Sequence, residues 1–121
     1  MALDLALALQ TAQIGVWELD VTTGQMTWSV AARDLLSLPD REANLESLMQ
    51  RIHPRDQDEV RYAMMRAVFE RSHLTTRFRI VARPDTDTLV ELRAHTVRGT
   101  AGEPECVVGV CIEVASLSAA A

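Results

Sequence analysis

Residues 103–114 read E-P-E-C-V-V-G-V-C-I-E-V, the most continuously apolar run in the chain, rich in β-branched residues and opened by the turn pair Gly102 and Pro104. A run of this kind is a long central strand. Its backbone needs partners on both sides, and the preceding chain offers four further strands, with helices to cover one face. The expected architecture is therefore α+β: a five-stranded antiparallel sheet whose inner face, with the helices, encloses a small apolar core.

Working outward, two stretches precede the closing run directly. In Leu74–Val81, Thr76, Phe78 and Ile80 share a face opposite Arg77 and Arg79; in Thr88–Val97, Val90, Leu92 and Ala94 oppose Glu91, Arg93 and His95. P-D-T-D separates these two strands. Earlier, Trp17, Leu19 and Val21 alternate with Glu18 and Asp20, Thr22-Thr23-Gly24 makes a turn, and Met26 and Trp28 follow on one side of a second strand, so residues 15–29 read as a β-hairpin. If the apolar sides all point inward, Glu18, Asp20, Arg77, Arg79, Glu91, Arg93, His95 and Glu113 form a solvated ionic outer face.

The helices lie between the hairpin and the last three strands. A helical turn starts at Ser29 and is stopped by Pro39; P-D-R-E-A-N is a loop; Leu45, Leu48, Met49 and Ile52 recur at helical spacing until His53-Pro54. Pro54 opens the longest helix, whose inner side carries Val60, Met64, Ala67, Val68 and Arg71 and which ends near Ser72. At the N-terminus, residues 2–12 form a short helix with two apolar stripes, one with Leu3 and Leu7, the other with Leu5 and Leu9. Two stripes exceed what a small core needs, and the expectation is contact with a second copy through Leu3, Leu5, Leu7 and Leu9.

Composition bounds the function. A chain of 121 residues is one domain, and a net charge of −5 disfavours nucleic acid. No stretch reaches the length of a membrane span and the N-terminus lacks a basic region, so a cytoplasmic setting is expected. Cys106 and Cys111 point to opposite faces of one strand and form no disulfide with each other; no Cys/His spacing suits zinc. His53 reads as a structural residue before a helix, His73 as the exposed end of the long helix, and His95 as part of the ionic face. No phosphate loop, nucleophile elbow or buried carboxylate pair occurs, which points away from an enzyme, including a small α+β isomerase that would need a buried acid.

Several motifs in register carry a resemblance to the PAS domain, the sensory module of bacterial signalling proteins, and within it to the fold-3-like subclass. I-G-V-W-E-L-D-V-T-T-G-Q-M-T-W-S at 14–29 resembles that subclass's opening hairpin, I-H-P-R-D at 52–56 its H-P-x-D entry to the long helix, R-F-R-I-V at 77–81 its third strand, and G-E-P followed by V-V-G-V at 107–110 its closing strand. The resemblance implies strand order 2-1-5-4-3, helices on one face, dimerisation through the N-terminal helix and signal passage from the last strand to a kinase or cyclic-dinucleotide output domain. It departs from the family at Leu89, where a Trp is usual, and at Glu113-Val114-Ala115, where D-I-T is usual; Glu113, paired with an arginine such as Arg93, is the expected coupling group.

The organisation that follows is an N-terminal helix over 1–13, a sensor domain over 14–115 and a tail or linker over 116–121. Candidate lining for a small apolar ligand comprises Trp17, Leu19, Trp28, Leu36, Ile52 and Met64, with Val68, Phe78, Ile80, Leu92, Val108 and Val110; Thr76, Thr96 and the Trp28 Nε1 are the polar groups able to orient it. The inner side of the long helix has no histidine for haem and the helices have no cysteine for a flavin adduct, so neither cofactor is expected. The functional reading is a non-enzymatic, homodimeric sensor controlling an attached output domain through a small ligand or protein contact. Its alternative is a ligand-free structural dimerisation module.

Overall fold

Alternating bulk along the hairpin sequence produces the first two strands. The computed structural model describes residues 3–39, 43–70, 73–83 and 86–118. In it β1 (Gly15–Asp20) and β2 (Gln25–Trp28) are antiparallel, with Trp17 opposite Trp28 and Leu19 opposite Met26. Asp20 shapes the turn by accepting at Oδ1 from the backbone N–H of Thr22 at 2.9 Å and of Thr23 at 3.1 Å. Gly24 completes it at φ 77°, a conformation open to glycine without steric cost. Ser29 closes the hairpin. Its Oγ accepts from Val16 N at 2.9 Å and from Ala32 N at 3.3 Å, tying β1 to the start of α2 (Val30–Leu36) while capping that helix.

Helix boundaries differ from the sequence reading in three places. α2 ends at Ser37, which takes a left-handed conformation (φ 55°, ψ 38°), ahead of the expected stop at Pro39. The next helix, α3 (Leu45–Met49), is started by a reciprocal cap between Asn44 and Ser47 and stops before Ile52. Ile52 instead bridges Ile80, because the open sheet edge offers backbone partners: His53 N donates to Arg79 O at 2.8 Å and Val81 N to Arg51 O at 3.0 Å. The longest helix, α4 (Gln57–Phe69), begins three residues beyond Pro54, and Gln57 stitches the turn by donating from Nε2 to the carbonyls of Met49 and Ile52, both at 3.1 Å.

The remaining strands are longer than their patterns suggested. A two-residue strand, β3 (Ala43–Asn44), joins β2 at one edge; β4 (His73–Arg83), β5 (Thr86–Arg98) and β6 (Pro104–Ser118) complete a six-stranded antiparallel sheet in the order β3-β2-β1-β6-β5-β4. Without the short edge strand this is the expected 2-1-5-4-3 arrangement. Residues 116–118, read from sequence as tail, extend β6, with Ser118 opposite Thr86. The loop residues 40–42, the helix end at Arg71 and Ser72, Pro84 and Asp85 of the expected break, and residues 119–121 lie outside the described residues.

α2, α3 and α4 bury their apolar sides in one cluster with the inner face of the sheet. Two β5 side chains close the far end of α4, where helix carbonyls lack partners: Thr96 Oγ1 donates to Ala67 O at 2.8 Å and Arg98 donates to Val68 O at 3.1 Å. At the near end Asp56, though placed as the N-cap, makes no capping bond. Its carboxylate accepts instead from Arg79: the backbone N, Nε and a terminal guanidinium N each lie at 2.9 Å. The Arg79 hydrogen bonds, outweighing partial burial, hold the Asp56 pKa below the ordinary carboxylate value. Arg79 therefore is not part of a solvated face; it fastens the edge strand to the helical layer.

The parity of β6 corrects the sequence reading. Val107 lies opposite Leu19 and Thr96, Gly109 opposite Trp17 and Ala94, and Cys111 opposite Gly15 and Leu92, all on the inner face. Val108 and Val110 consequently point outward, Val108 being 36% exposed, rather than into the core. The reason is steric: a Cβ at residue 109 would stand 2.9 Å from Trp17 Cε2 and 2.8 Å from Ala94 Cβ and would press on the Arg93 carbonyl.

Two measurements test this arrangement. Val107→Thr buries an extra hydroxyl in the core and is expected to cost about 1–3 kcal/mol in urea unfolding, whereas Val108→Thr stays within about 0.5 kcal/mol; a larger cost at Val108 than at Val107 would mean the opposite parity. Asp56→Asn is expected to cost about 1–3 kcal/mol at pH 7. A depressed folded-state pKa stabilises above the unfolded value and that contribution is lost as pH falls, so the gap between wild type and Asp56→Asn should close below pH of about 4.

Candidate functional site

The inner layer brings together almost all the side chains proposed from sequence. Trp17, Leu19, Trp28, Leu36, Ile52, Met64, Val68, Phe78, Ile80 and Leu92 are buried in one cluster. Val110 is not among them: it lies on the outer face opposite Val16 and Arg93. In its place the inner face of β6 presents Val107 and Cys111, and Met26, Leu38 and Met49 enlarge the cluster. Sequence inspection could have found Val107 and Cys111 by asking which β6 residue must be smallest opposite Trp17.

The centre of this layer is a cross-strand tryptophan pair, with ring centroids 6.0 Å apart and planes inclined by 31°. The two indoles differ in polarity. Trp17 Nε1 donates to the Val110 carbonyl at 3.2 Å. Trp28 is 7% exposed, and its Nε1 has no hydrogen-bond acceptor among the described residues. A buried donor left unpaired costs about 1–3 kcal/mol, so this indole marks a position suited to an acceptor. Thr96, the other polar candidate, already donates to Ala67, while Thr76 is buried on the inner face. α4 turns Val60, Met64, Ala67 and Val68 inward.

The outer face is divided, not uniformly ionic. On β4 and β5 an ion triad dominates. Glu91, only 4% exposed, accepts from Arg77 Nε at 3.0 Å and from Arg93 Nε at 2.6 Å. The Arg77 hydrogen bond, followed by that of Arg93, lowers its pKa. Arg93 is thus bound to Glu91 and not to Glu113, which stands opposite Val90 on the other side of the sheet from Arg93. On β1 and β6 the outer face is apolar: Val16, Val108, Val110 and Ile112 are partly or substantially exposed there, with Glu18 and Asp20 beside them.

α1 (Leu5–Thr11) buries no residue; Asp4 caps it by accepting from Leu7 N at 3.0 Å, and Leu5 and Leu7 are 65% and 58% exposed. Leu3 is exposed as well, and Leu9 is half-buried. The expected contact residues are therefore open on the surface. Among the described residues, no helix is long and apolar enough to cross a membrane.

The reactive groups have ordinary structural surroundings. Burial pushes the Cys111 thiol up to about 12, and burial, then Glu18, raises that of Cys106; both are thiols at neutral pH and weak nucleophiles. They lie on opposite faces, as expected. His53 Nδ1 accepts from Arg55 N at 3.1 Å, a local structural role. His73 opens β4 instead of ending α4 and lies opposite His95, a pairing that separate inspection of the two motifs missed. Between α4 and β4, a cleft of 230 Å³ is lined by Glu59, Tyr62, Ala63, Arg66 and the segment from His73 to Thr76.

Comparison with known proteins agrees with this geometry. A family model described as the PAS fold matches residues 25–111. The chain is 26% identical over 102 residues to the sensor protein FixL of Bradyrhizobium diazoefficiens, a match covering 84% of this chain and 20% of FixL. It thus spans about one fifth of that relative's length. A sensory box histidine kinase/response regulator structure from Burkholderia thailandensis superposes with a TM-score of 0.72 at 26% identity, covering 90% of this chain and 82% of that one. The N-terminal domain of a diguanylate cyclase with PAS/PAC sensor from Marinobacter aquaeolei has the same fold, with a TM-score of 0.72 at 20% identity over 84% of this chain and 94% of that one. With the family model spanning β2 to β5, helices α2 to α4 and the first half of β6, the chain belongs to the PAS-fold family.

Proposed function

We propose that this chain is the sensory and interaction module of a larger signalling protein, non-catalytic itself, which pairs with a second copy and governs an attached output domain such as a histidine kinase or a cyclic-dinucleotide enzyme. The observation that carries this reading is the open apolar side of α1, where Leu3, Leu5 and Leu7 project into solvent although the domain core is complete without them. An apolar helix of this kind is stabilised by covering it. The stripe of Val16, Val108, Val110 and Ile112 offers the same chemistry on the adjoining sheet face. A second copy can lay its α1 over this stripe, giving a symmetric, self-complementary contact.

Signal transfer in this reading uses the long β6 strand. Its inner side touches the tryptophan layer through Val107, Gly109 and Cys111, and its outer side belongs to the apolar stripe. In this reading a change in inner packing alters the surface on which the partner sits and so shifts the pair from one arrangement to another. Glu113, which stands on β6 opposite Val90, takes part in this reading in coupling to an attached domain, and Arg93 acts through Glu91 to hold the neighbouring strand.

A second reading concerns the input. The unpaired Trp28 Nε1 favours a small, largely apolar ligand with one hydrogen-bond acceptor, seated in the inner layer. The ligand-free dimerisation module is the competing case, and it leaves that donor unpaired.

Light scattering at micromolar concentration is expected to give a dimer, and Leu5→Glu/Leu7→Glu a monomer that stays folded, since both side chains are exposed, but has lost the part of the melting temperature that the dimer contact adds. A monomeric wild type would overturn the dimer reading. Native mass spectrometry of freshly purified protein addresses the ligand. Retained small-molecule mass that disappears in Trp28→Phe supports ligand sensing. An apo wild type, with Trp28→Phe as stable or about 1 kcal/mol more stable, supports the structural module.

A further inference from the structure

His73 and His95 sit directly opposite one another on β4 and β5, both exposed on the outer face. Their Nδ1 atoms are 3.3 Å apart and their ring centroids 4.8 Å apart. Two neutral imidazoles in this relation share one proton, one ring donating from Nδ1 and the other accepting. Nothing in the sensing reading uses this pair.

The geometry points to a two-imidazole site for a divalent transition cation, with tetrahedral zinc the best match. Two nitrogens each 2.0–2.1 Å from a tetrahedral ion lie about 3.3–3.4 Å apart, whereas neighbouring ligands at a right angle lie about 2.8–3.0 Å apart. The observed 3.3 Å falls on the tetrahedral spacing. An ion between the rings replaces the shared hydrogen bond. The donating ring then carries its proton on Nε2 in place of Nδ1, so both Nδ1 lone pairs face the ion and the pair's protonation is unchanged. Because the strand ladder already holds both residues in register, little ordering is needed to bind.

The surroundings admit a cation. Arg93, two residues before His95 on the same face, shares the single carboxylate of Glu91 with Arg77, so one positive charge remains in that triad, set against a net charge of −5 on the chain as a whole. Imidazole suits zinc, copper and nickel and not magnesium. Among the described residues, no group of three or more His, Cys, Asp or Glu side chains gathers here. The remaining positions therefore go to water or to an exchangeable outside donor, which makes this an open, reversible site and not a closed structural one. Its occupancy fastens the first residue of β4 to β5 beside the cleft between α4 and β4, where His73 is also a lining residue.

The test is titration of the chain with zinc chloride in chelator-free buffer, followed by calorimetry and thermal unfolding, with magnesium as control. One zinc per chain and a raised melting temperature are expected with zinc alone. His73→Ala and His95→Ala should each weaken binding by at least about tenfold. His53→Ala and Cys106→Ser should leave it unchanged, and ring nitrogen spectra should show both Nδ1 atoms shifted by the metal. No zinc binding, or binding equal in wild type and both histidine variants, overturns the proposal. Loss of binding in Cys106→Ser instead assigns the ion elsewhere and overturns it too.

Discussion

Trp17 can lie against the middle of the sheet only because residue 109 has no side chain. The indole, 1% exposed, occupies the space a Cβ would need, and Ala94 and the Arg93 backbone close it from the neighbouring strand. Loss of a buried Trp side chain typically costs about 3–5 kcal/mol, so this contact weighs heavily against a total stability of about 5–15 kcal/mol. With Gly109 committed inward, pleat geometry leaves no choice for its neighbours: Val108 and Val110 face out, Val107 and Cys111 face in. The apolar stripe on the outer face is thus a consequence of the core.

A second set of constraints operates where elements change direction. Asp20 folds the hairpin turn, Ser29 joins the hairpin to α2, and Asp56 binds Arg79. Each uses a short polar side chain to satisfy backbone or guanidinium donors that would otherwise be left where the chain leaves regular structure. These are also residues that carry the family resemblance, within W-E-L-D, W-S, H-P-R-D and R-F-R-I. The motif is a set of latches. Asp56 shows the priority among them: it stands at the cap of α4 yet leaves the cap unmade, because three hydrogen bonds to one arginine, two of them charge-assisted through the guanidinium, outweigh one to a helix N–H.

Membership of the PAS-fold family locates function in sensing, while the side chains decide what form it takes here. The inner layer is filled by large residues around the tryptophan pair, and one indole N–H has no acceptor among the described residues. The surface, in contrast, is unfinished: an apolar helix and an apolar sheet stripe lie open beside an ion triad that is closed on itself. The tryptophan layer and the open apolar stripe therefore lie on opposite faces of β6, separated by one pleat.

The sequence by itself determined what periodicity and punctuation encode: the hairpin, the helix positions, the inward sides of β1, β2, β4 and β5, and the polar turn residues. These are local properties, legible because side-chain alternation and turn chemistry act over a few residues. In E-P-E-C-V-V-G-V-C-I-E-V the signal fails, because valines on both sides of each pleat leave no alternation to read, and the facing indole, distant in sequence, selects the parity. Tertiary structure likewise decided that Ile52 pairs with Ile80, that Glu91 takes both arginines and Arg93 none of Glu113, and that His73 meets His95. Each depends on the register between segments far apart in the chain, and register is set by the packing of the whole sheet.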